Sequence, residues 1–504
     1  MFATHSGNPV FMRHSIVRFA FRRLGVDKLY EEVVVQDRLT NIRPQIRQDI
    51  TNLLKKANSQ CPFFEGKFTE FLSATNGTDD DSFFQAYAAL PAYSKEDYAN
   101  AGNAMLKRDF AQQLESGDAP ELVFDGKALS FLKRLKSGKF FMPMATGGST
   151  SLPLKVQMTK HHMFSMLYTF FKCWFRQGWT PGERMMVFYP RNTYNIDDMA
   201  RYNKYSRFTG FQIHLFDKVD LPTIRELVKE INRFKPKMLL VFPSPMNMIA
   251  TTIRKHNLQL TYHPELINVS GETFFDCQRN NIQEVFSGSK IEDSYGSVEL
   301  GEIAHETPDR SGLEIFANVA YVETAPNENG KPEMICTRLH LDDFPFIRYK
   351  MKDIADIEFQ TDAKGNERYV ITKIEGKDSN FIMSSSGERF YPSFFNNLVN
   401  QVNAKLEDSV VEIKVYERGG TDLEVQLITK SPELNTAIEE TITQLLTESM
   451  GDQMNYDIRF VDFIDHDYRR KYRVIERIGD VEYAGGIVGN QKKLEKIERE
   501  SVET

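Results

Sequence analysis

The sequence predicts an α/β protein: a large N-terminal unit of mostly parallel sheets with flanking helices, followed by a small α+β C-terminal unit. Three observations carry this. Between residues 159 and 269, short apolar runs alternate with segments of helical period, the pattern of parallel strands joined by crossover helices. After residue 374 the pattern changes to two β-like runs, a helix and a further strand. The length, 504 residues, exceeds what one hydrophobic core usually serves. Residues 1–374 are assigned to the first unit, with a helical N-terminal segment at about 10–110, and residues 375–504 to the second.

The elements follow in order. Ile42, Ile46, Ile50 and Leu53 recur at steps of three and four, giving a helix with one buried face. Asn76-Gly-Thr-Asp-Asp-Asp81 reads as a loop and Ser94-Lys-Glu-Asp97 as a helix start. Thr159 caps a helix reaching about Arg176, and Met185–Tyr189 is a short apolar strand. Leu221–Phe234 reads as a helix, Met238–Phe242 as a strand, Ser244-Pro245 as the cap and first residue of the next helix, and Leu266–Val269 as a strand. Ile374–Asn380 is the junction. Val410–Tyr416 and Leu423–Ile428 flank a hairpin turn at Arg418-Gly-Gly. Ser431-Pro-Glu opens a helix with Leu434, Ile438, Ile442 and Leu445 on one face, and Tyr456–Phe463 is the last strand.

Composition excludes several classes. Apolar residues make up 41% and charged residues 26%, as in soluble globular proteins, and the net charge is −7. No basic block or aromatic-interleaved basic stripe is present, so nucleic acid is not an expected partner. Cys61, Cys173, Cys277 and Cys336 lack metal or redox spacing and fit reduced, structural thiols. Lysine, arginine, proline or asparagine interrupts the most apolar windows, so no transmembrane segment is expected. The N-terminus has no signal-peptide pattern, which makes the cytoplasm the expected location. A homodimer is among the assemblies the composition admits.

The chemistry concentrates in a few stretches. Thr146-Gly-Gly-Ser-Thr-Ser-Leu-Pro-Leu-Lys155 has the composition of a phosphate grip. Gly147 and Gly148 permit a tight turn, Ser149, Thr150 and Ser151 supply hydroxyls, and Lys155 supplies a charge. The spacing is not that of the usual P-loop, and a polar surface loop is the plain alternative. Downstream come Phe242-Pro-Ser-Pro245, Ser270-Gly-Glu272 and Asp293-Ser-Tyr-Gly-Ser-Val-Glu299. They are followed by Phe344-Pro-Phe-Ile-Arg-Tyr-Lys-Met-Lys-Asp353, Glu375-Gly-Lys-Asp-Ser-Asn380 and Arg469-Arg-Lys-Tyr-Arg473. In open α/β sheets, ligands lie beyond the carboxyl ends of the strands, and three of these stretches follow strand-like runs. The adjacent pair His161-His162 points to different faces of a helix and reads as structural.

In this order, and together with Leu90-Pro-Ala-Tyr-Ser-Lys-Glu-Asp97, the stretches resemble the adenylate-forming superfamily over residues 85–478. The branch they resemble is the phenylacetate–CoA ligase group, with its CapK-type members. The resemblance implies attack of a carboxylate on the α-phosphate of ATP, followed by transfer of the acyl group, usually to coenzyme A. It places the β- and γ-phosphates in the loop Thr146–Lys155, Mg²⁺ on Glu299, the α-phosphate at Ser297 and adenine against Tyr295 and Ser270-Gly271-Glu272. Asp353 would accept from the ribose hydroxyls and Lys471 would bridge carboxylate and phosphate. Gly296, Arg348 and Lys377 complete the implied nucleotide contacts. Phe242, Pro243, Ser244 and Asn247 would line the acid pocket, with an aromatic acid as the expected class. A C-terminal unit that turns between the two half-reactions is also implied.

The pattern has departures. Ser151 stands in place of a glycine, Lys377 in place of the junction arginine and Ser379 in place of the hinge acid, unless Asp378 serves. Two other readings therefore stand beside the ligase. In one, the adenylate passes to an amine, a sugar hydroxyl or a carrier protein. In the other, the chain binds nucleotide without catalysis.

Overall fold

The computed structural model describes residues 42–121, 140–145, 154–180, 182–190, 210–339, 343–361, 365–464 and 472–477. The described residues divide into two compact units. One comprises those of Met1–Gly271 and Phe286–Ile374, the other those of Glu272–Val285 and Glu375–Thr504.

Among the described residues, the first unit opens with helices α1 (Arg43–Gln60), α2 (Thr69–Ala74), α3 (Asp80–Ala88), α4 (Lys95–Ala101) and α5 (Arg108–Glu115). In α1 the expected stripe is buried: Ile46, Ile50, Leu53, Leu54 and Ala57. The acidic run Asp79–Asp81, read as loop, is instead a helix start. Asp79 accepts from the Ser82 amide at 2.8 Å, and Asp80 and Asp81 occupy the first turn, where the helix dipole favours negative charge. Ser94 and Asp97 form a reciprocal capping box on α4.

Strands β1 (Phe141–Ala145) and β2 (Lys155–Thr159) pair antiparallel, with Ala145 opposite Lys155. The Gly/Ser/Thr stretch connects them and lies outside the described residues. Helix α6 (Lys160–Gln177) follows at once. The Thr159 side chain accepts from the His162 amide, and Gly178, at φ +102°, ends the helix.

The central sheet contains β3 (Met185–Pro190), β4 (Phe211–Phe216), β5 (Met238–Val241), β6 (Leu266–Ser270), β7 (Lys290–Ser297), β8 (Gly301–Glu306) and β9 (Leu313–Ile315). It continues with β10 (Ala320–Pro326), β11 (Pro332–Arg338), β12 (Tyr349–Thr361) and β13 (Glu367–Lys377). Helices α7 (Leu221–Phe234) and α8 (Pro243–Lys255) flank β5, and α9 (Asp276–Val285) lies between β6 and β7 in sequence. The strand order is β10-β11-β12-β13-β9-β8-β7-β6-β5-β3-β4. The pairings β4–β3, β3–β5, β5–β6 and β6–β7 are parallel. Those of β7–β8, β8–β9, β9–β13, β11–β12 and β10–β11 are antiparallel. The sheet is therefore mixed. The expectation of mostly parallel sheets describes the half where crossover helices connect the strands; short loops such as Ser297–Gly301 can join only antiparallel neighbours. Every residue of β5 and β6 is buried, as in a strand covered on both faces.

The second unit holds β14 (Ile382–Met383), β15 (Arg389–Phe390), α10 (Pro392–Lys405), β16 (Val410–Gly419), β17 (Asp422–Thr429), α11 (Asn435–Met450), β18 (Asn455–Phe460) and β19 (Ile475–Arg477). Four strands form a sheet in the order β18-β17-β16-β19. Helix α11 buries Ile438, Ile442, Leu446 and Met450, a stripe in steps of four, while Leu434 and Leu445 are only half-buried. Helix α9 is a member of this unit. Phe275 and Cys277 sit in its core with Phe395 and Leu398. The Gln278 amide donates to both carboxylate oxygens of buried Glu412, at 3.1 Å each. Strand β13 carries the chain across the boundary at Ile374–Glu375. Just beyond, Gly376 has φ +133°, and a Cβ there would stand 2.8 Å from Pro392 Cδ.

Candidate active site

The parallel strands all point one way, so their carboxyl ends share an edge of the sheet. The chain leaves β3 to form β4 on one side, then returns through α7 to form β5 on the other. Such a reversal opens a crevice beyond the strand ends. Three of the expected stretches emerge there. Phe242 follows β5, and its ring lies 4.6 Å from that of Tyr189 at the end of β3. Gly271 follows β6 with φ +85°, and a Cβ there would come within 3.1 Å of the Phe242 ring. Phe242 thus covers the Ser270-Gly271 backbone. Helix α8 begins at Pro243, two residues before the expected first residue Pro245, because a proline fits the first helical position. Ser244 is therefore not the cap. Pro243, Ser244 and Asn247 lie in a buried first turn.

The turn of the β7–β8 hairpin carries the next group. Ser297 pairs with Gly301, which leaves Val298, Glu299 and Leu300 as the turn. The Leu300 amide donates to Ser297 Oγ at 3.2 Å. Gly301 takes φ +76°, and a Cβ there would lie 2.4 Å from Thr169 Oγ1. A Cβ at Gly296 would fall 2.5 Å from the Gly301 carbonyl. Both positions exclude a side chain. The turn is also held from α6, since the Glu302 amide donates to Thr169 Oγ1 at 3.1 Å.

Asp353 sits on an irregularity in β12. Glu333 pairs with Ile354 and Ile335 with Lys350, so three residues of β12 face one of β11. Lys352 takes φ +58° to make this bend, an uncommon conformation for a non-glycine residue. The two acids are then cross-held. The Tyr295 hydroxyl donates to Asp353 Oδ2 at 2.6 Å, and the Tyr349 hydroxyl donates to Glu299 Oε1 at 3.1 Å. Each tyrosine precedes the acid of its own segment by four residues and grips the acid of the other. Both carboxylate residues are 8% exposed. Burial, then the facing carboxylate, raises both phenol pKa values, so both remain protonated donors.

The Leu90–Asp97 and Pro345–Asp353 stretches, far apart in sequence, are partners in space. The Tyr93 amide donates to the Arg348 carbonyl at 2.8 Å, and the Lys350 amide to the Tyr93 carbonyl at 2.9 Å. The Arg348 side chain donates to Glu323 at 2.8 Å and also to the Leu90 carbonyl. Its guanidinium is 3% exposed. These donors of Arg348 tie strand β10 and the 90–93 segment together.

The other expected residues fall as follows. Ser270 ends β6 and is buried. Glu272 belongs to the second unit, where its carboxylate accepts from the Tyr472 amide at 2.9 Å, so the Ser270-Gly271-Glu272 stretch is divided after Gly271. Lys377 is the exposed last residue of β13. Lys155 is the first residue of β2. Thr146, Gly147, Gly148, Ser149, Thr150, Ser151 and Lys471 lie outside the described residues. Tyr349 stood inside the Phe344–Asp353 stretch without being singled out, though the repeated four-residue spacing of tyrosine and acid was a usable signal for it, and Thr169 had no motif to mark it.

Glu299 fits a magnesium ion shared with phosphate. Oε1 takes the Tyr349 hydrogen bond, and Oε2 meets no donor among the described residues. Those residues contain no cluster of three or more metal-binding side chains. A single carboxylate completed by phosphate oxygens and water is how Mg²⁺ is commonly held.

The fold is that of the adenylate-forming ligases. Two structures of 2-hydroxyisobutyryl-CoA ligase in the postadenylation state, one with R3-HIB-AMP and one with 2-HIB-AMP, superpose with TM-scores of 0.63 and 0.62. Each is 15% identical and covers 89% of this chain and 91% of its own. In sequence, the chain is 22% identical over 251 residues to protein CapK of Staphylococcus aureus. That match covers 49% of this chain and 54% of CapK, so the chain spans about half the length of this curated relative. No family model matches the chain.

Proposed function

We propose that this chain is an ATP-dependent, AMP-forming carboxylate ligase that makes an acyl-adenylate and passes the acyl group to coenzyme A. The observation that carries this reading is the cross-held pair Tyr295–Asp353 and Tyr349–Glu299 in a unit whose strand ends also present Phe242 and Ser270-Gly271.

In this reading the chain positions and neutralises, because attack of a carboxylate on the α-phosphate needs alignment and relief of negative charge. Asp353 accepts from the ribose hydroxyls, exchanging part of its Tyr295 hydrogen bond for them. Ser297 donates to the α-phosphate, and the hydroxyls of the loop Thr146–Thr150, with Lys155, hold the outer phosphates. Glu299 holds Mg²⁺, which when bound offsets triphosphate charge. Lys471 brings its ammonium to the substrate carboxylate and the α-phosphate in the first half-reaction. The buried start of α8 and the Phe242 ring give the acid pocket an apolar wall, which suits an aromatic or other apolar acid. The second unit turns between the two half-reactions.

The test is pyrophosphate release from ATP and Mg²⁺ across a panel of carboxylic acids, with and without coenzyme A. Turnover that rises with coenzyme A supports the ligase. A burst that only an amine, a sugar or a carrier protein relieves would move the acceptor. No nucleotide chemistry with any acid would sink the reading. Lys471→Ala should lower adenylation by at least a hundredfold while leaving ATP binding nearly intact; unchanged adenylation would remove Lys471 from its role.

A further inference from the structure

Arg338, the last residue of β11, is 0% exposed. A buried guanidinium costs several kcal/mol of lost hydration and persists only where its surroundings answer it. Its backbone is fixed by a hydrogen bond from its amide to the Phe346 carbonyl at 2.9 Å. Its side chain reaches the first two turns of α6, donating to Ser165 Oγ at 2.7 Å and lying 3.3 Å from Met166 Sδ and 3.5 Å from His162 Nε2. The same guanidinium donates to the Glu299 carbonyl at 3.4 Å. His162 cannot compete for charge here. Burial, reinforced by Arg338, lowers its pKa to about 3, so it faces the cation as a neutral imidazole.

Glu299 is therefore gripped at both ends, its carboxylate by the Tyr349 hydroxyl and its carbonyl by Arg338. Helix α6 supplies the far side of that grip, and it follows directly on β2, the strand into which the Gly/Ser/Thr stretch runs. The same helix also holds the Glu302 amide through Thr169.

We infer that Arg338, seated on His162 and Ser165, is a positioning residue that sets Glu299 for the magnesium–triphosphate group. This rests on the ligase reading above. It acts through Glu299 and touches no reacting atom.

The experiment measures ATP affinity by calorimetry as a function of Mg²⁺, alongside thermal unfolding and pyrophosphate exchange, in the full chain. The variants are Arg338→Met, Arg338→Lys and Ser165→Ala. Arg338→Met should reduce the Mg²⁺-dependent gain in ATP affinity at least tenfold and lower kcat more than it raises KM for the acid, with Arg338→Lys recovering part of the loss. Ser165→Ala, which keeps the charge and removes one anchor at a half-buried position, should reduce the gain about threefold and serves if Arg338→Met does not fold. A lower melting temperature with the wild-type Mg²⁺ dependence in every folded variant would make Arg338 purely structural and overturn the inference. Wild-type protein that binds ATP without any Mg²⁺ dependence, or not at all, would overturn the ligase reading, and this inference with it.

Discussion

At the residue scale, the site depends on two hydrogen bonds and two glycines. Tyr295→Phe removes a donor to a carboxylate, an interaction worth roughly 1.5–3 kcal/mol. It should lower stability by about that amount in urea unfolding, while Asp353→Ala should weaken ATP binding tenfold or more. An Asp353→Ala protein that binds ATP normally would remove the ribose role. Gly296→Ala forces a Cβ to within 2.5 Å of a backbone carbonyl that a hairpin partner holds in place. It should cost about 1–3 kcal/mol, the usual range for overpacking, and the loss should appear as a lower melting temperature. Sequence spacing made Tyr295, Glu299 and Asp353 visible because each sits in a short polar–aromatic stretch. It could not show that each acid is held by the other stretch's tyrosine, since that contact depends on a bulge at Lys352 which no local signal announces. The partner of Arg348 was hidden for a related reason. An arginine amid aromatics looks like a ligand contact, and nothing local announces that Glu323, 25 residues away, accepts from it.

At the element scale, α6 connects the β1–β2 hairpin to the Glu299 turn, and its neutral histidine gives it a pH signature. His162 has a folded pKa of about 3, below its unfolded value near 6.5. The unfolded chain thus binds the extra proton first. The stability it contributes is full above pH 6.5 and is lost progressively as pH falls from 6.5 toward 3. Urea unfolding should show midpoints falling over that window, and His162→Gln should flatten the slope. An unchanged slope would mean other groups carry it, and His305, also held neutral by burial and Arg176, is the first candidate. Helices with clear periodicity, such as α1, or with a side-chain cap, such as α4, α6 and α7, were legible because local sequence marks them. The start of α3 was not. Three consecutive acids suit a loop as well as a first helical turn, and only the burial of Phe83, Phe84 and Tyr87 decides between them.

At the scale of the whole molecule, the alternation of strand and helix announced the parallel half of the sheet, and the small unit showed through its change of period. The antiparallel half was obscure because its pairing order, β12-β13-β9-β8, departs from chain order. The membership of α9 was obscure for a deeper reason, because no composition shift marks a helix lent to another unit. Its contribution can be measured. Gln278→Ala removes two hydrogen bonds from a carboxylate that is 4% exposed and should lower the stability of the second unit by about 1–3 kcal/mol, read as a lower calorimetric transition.

Because of α9, the covalent chain crosses between the units three times, at Gly271–Glu272, Val285–Phe286 and Ile374–Glu375. A body hung from a single thread can swivel freely, but one stitched through at three points cannot. The two stitches that flank α9 lead out of β6 and into β7, which are neighbours in the sheet. If the second unit turns, either α9 turns with it or α9 peels away, uncovering Phe275 and Cys277 and giving up the hold of Gln278 on Glu412. Joining Gln278→Cys and Glu412→Cys, whose native side chains meet only at their tips, with a short reducible bifunctional thiol reagent should spare adenylation and stall acyl transfer, with recovery on reduction. If both half-reactions run at normal rates under the cross-link, α9 keeps its seat throughout the cycle and the unit moves on a shorter path than a full swivel.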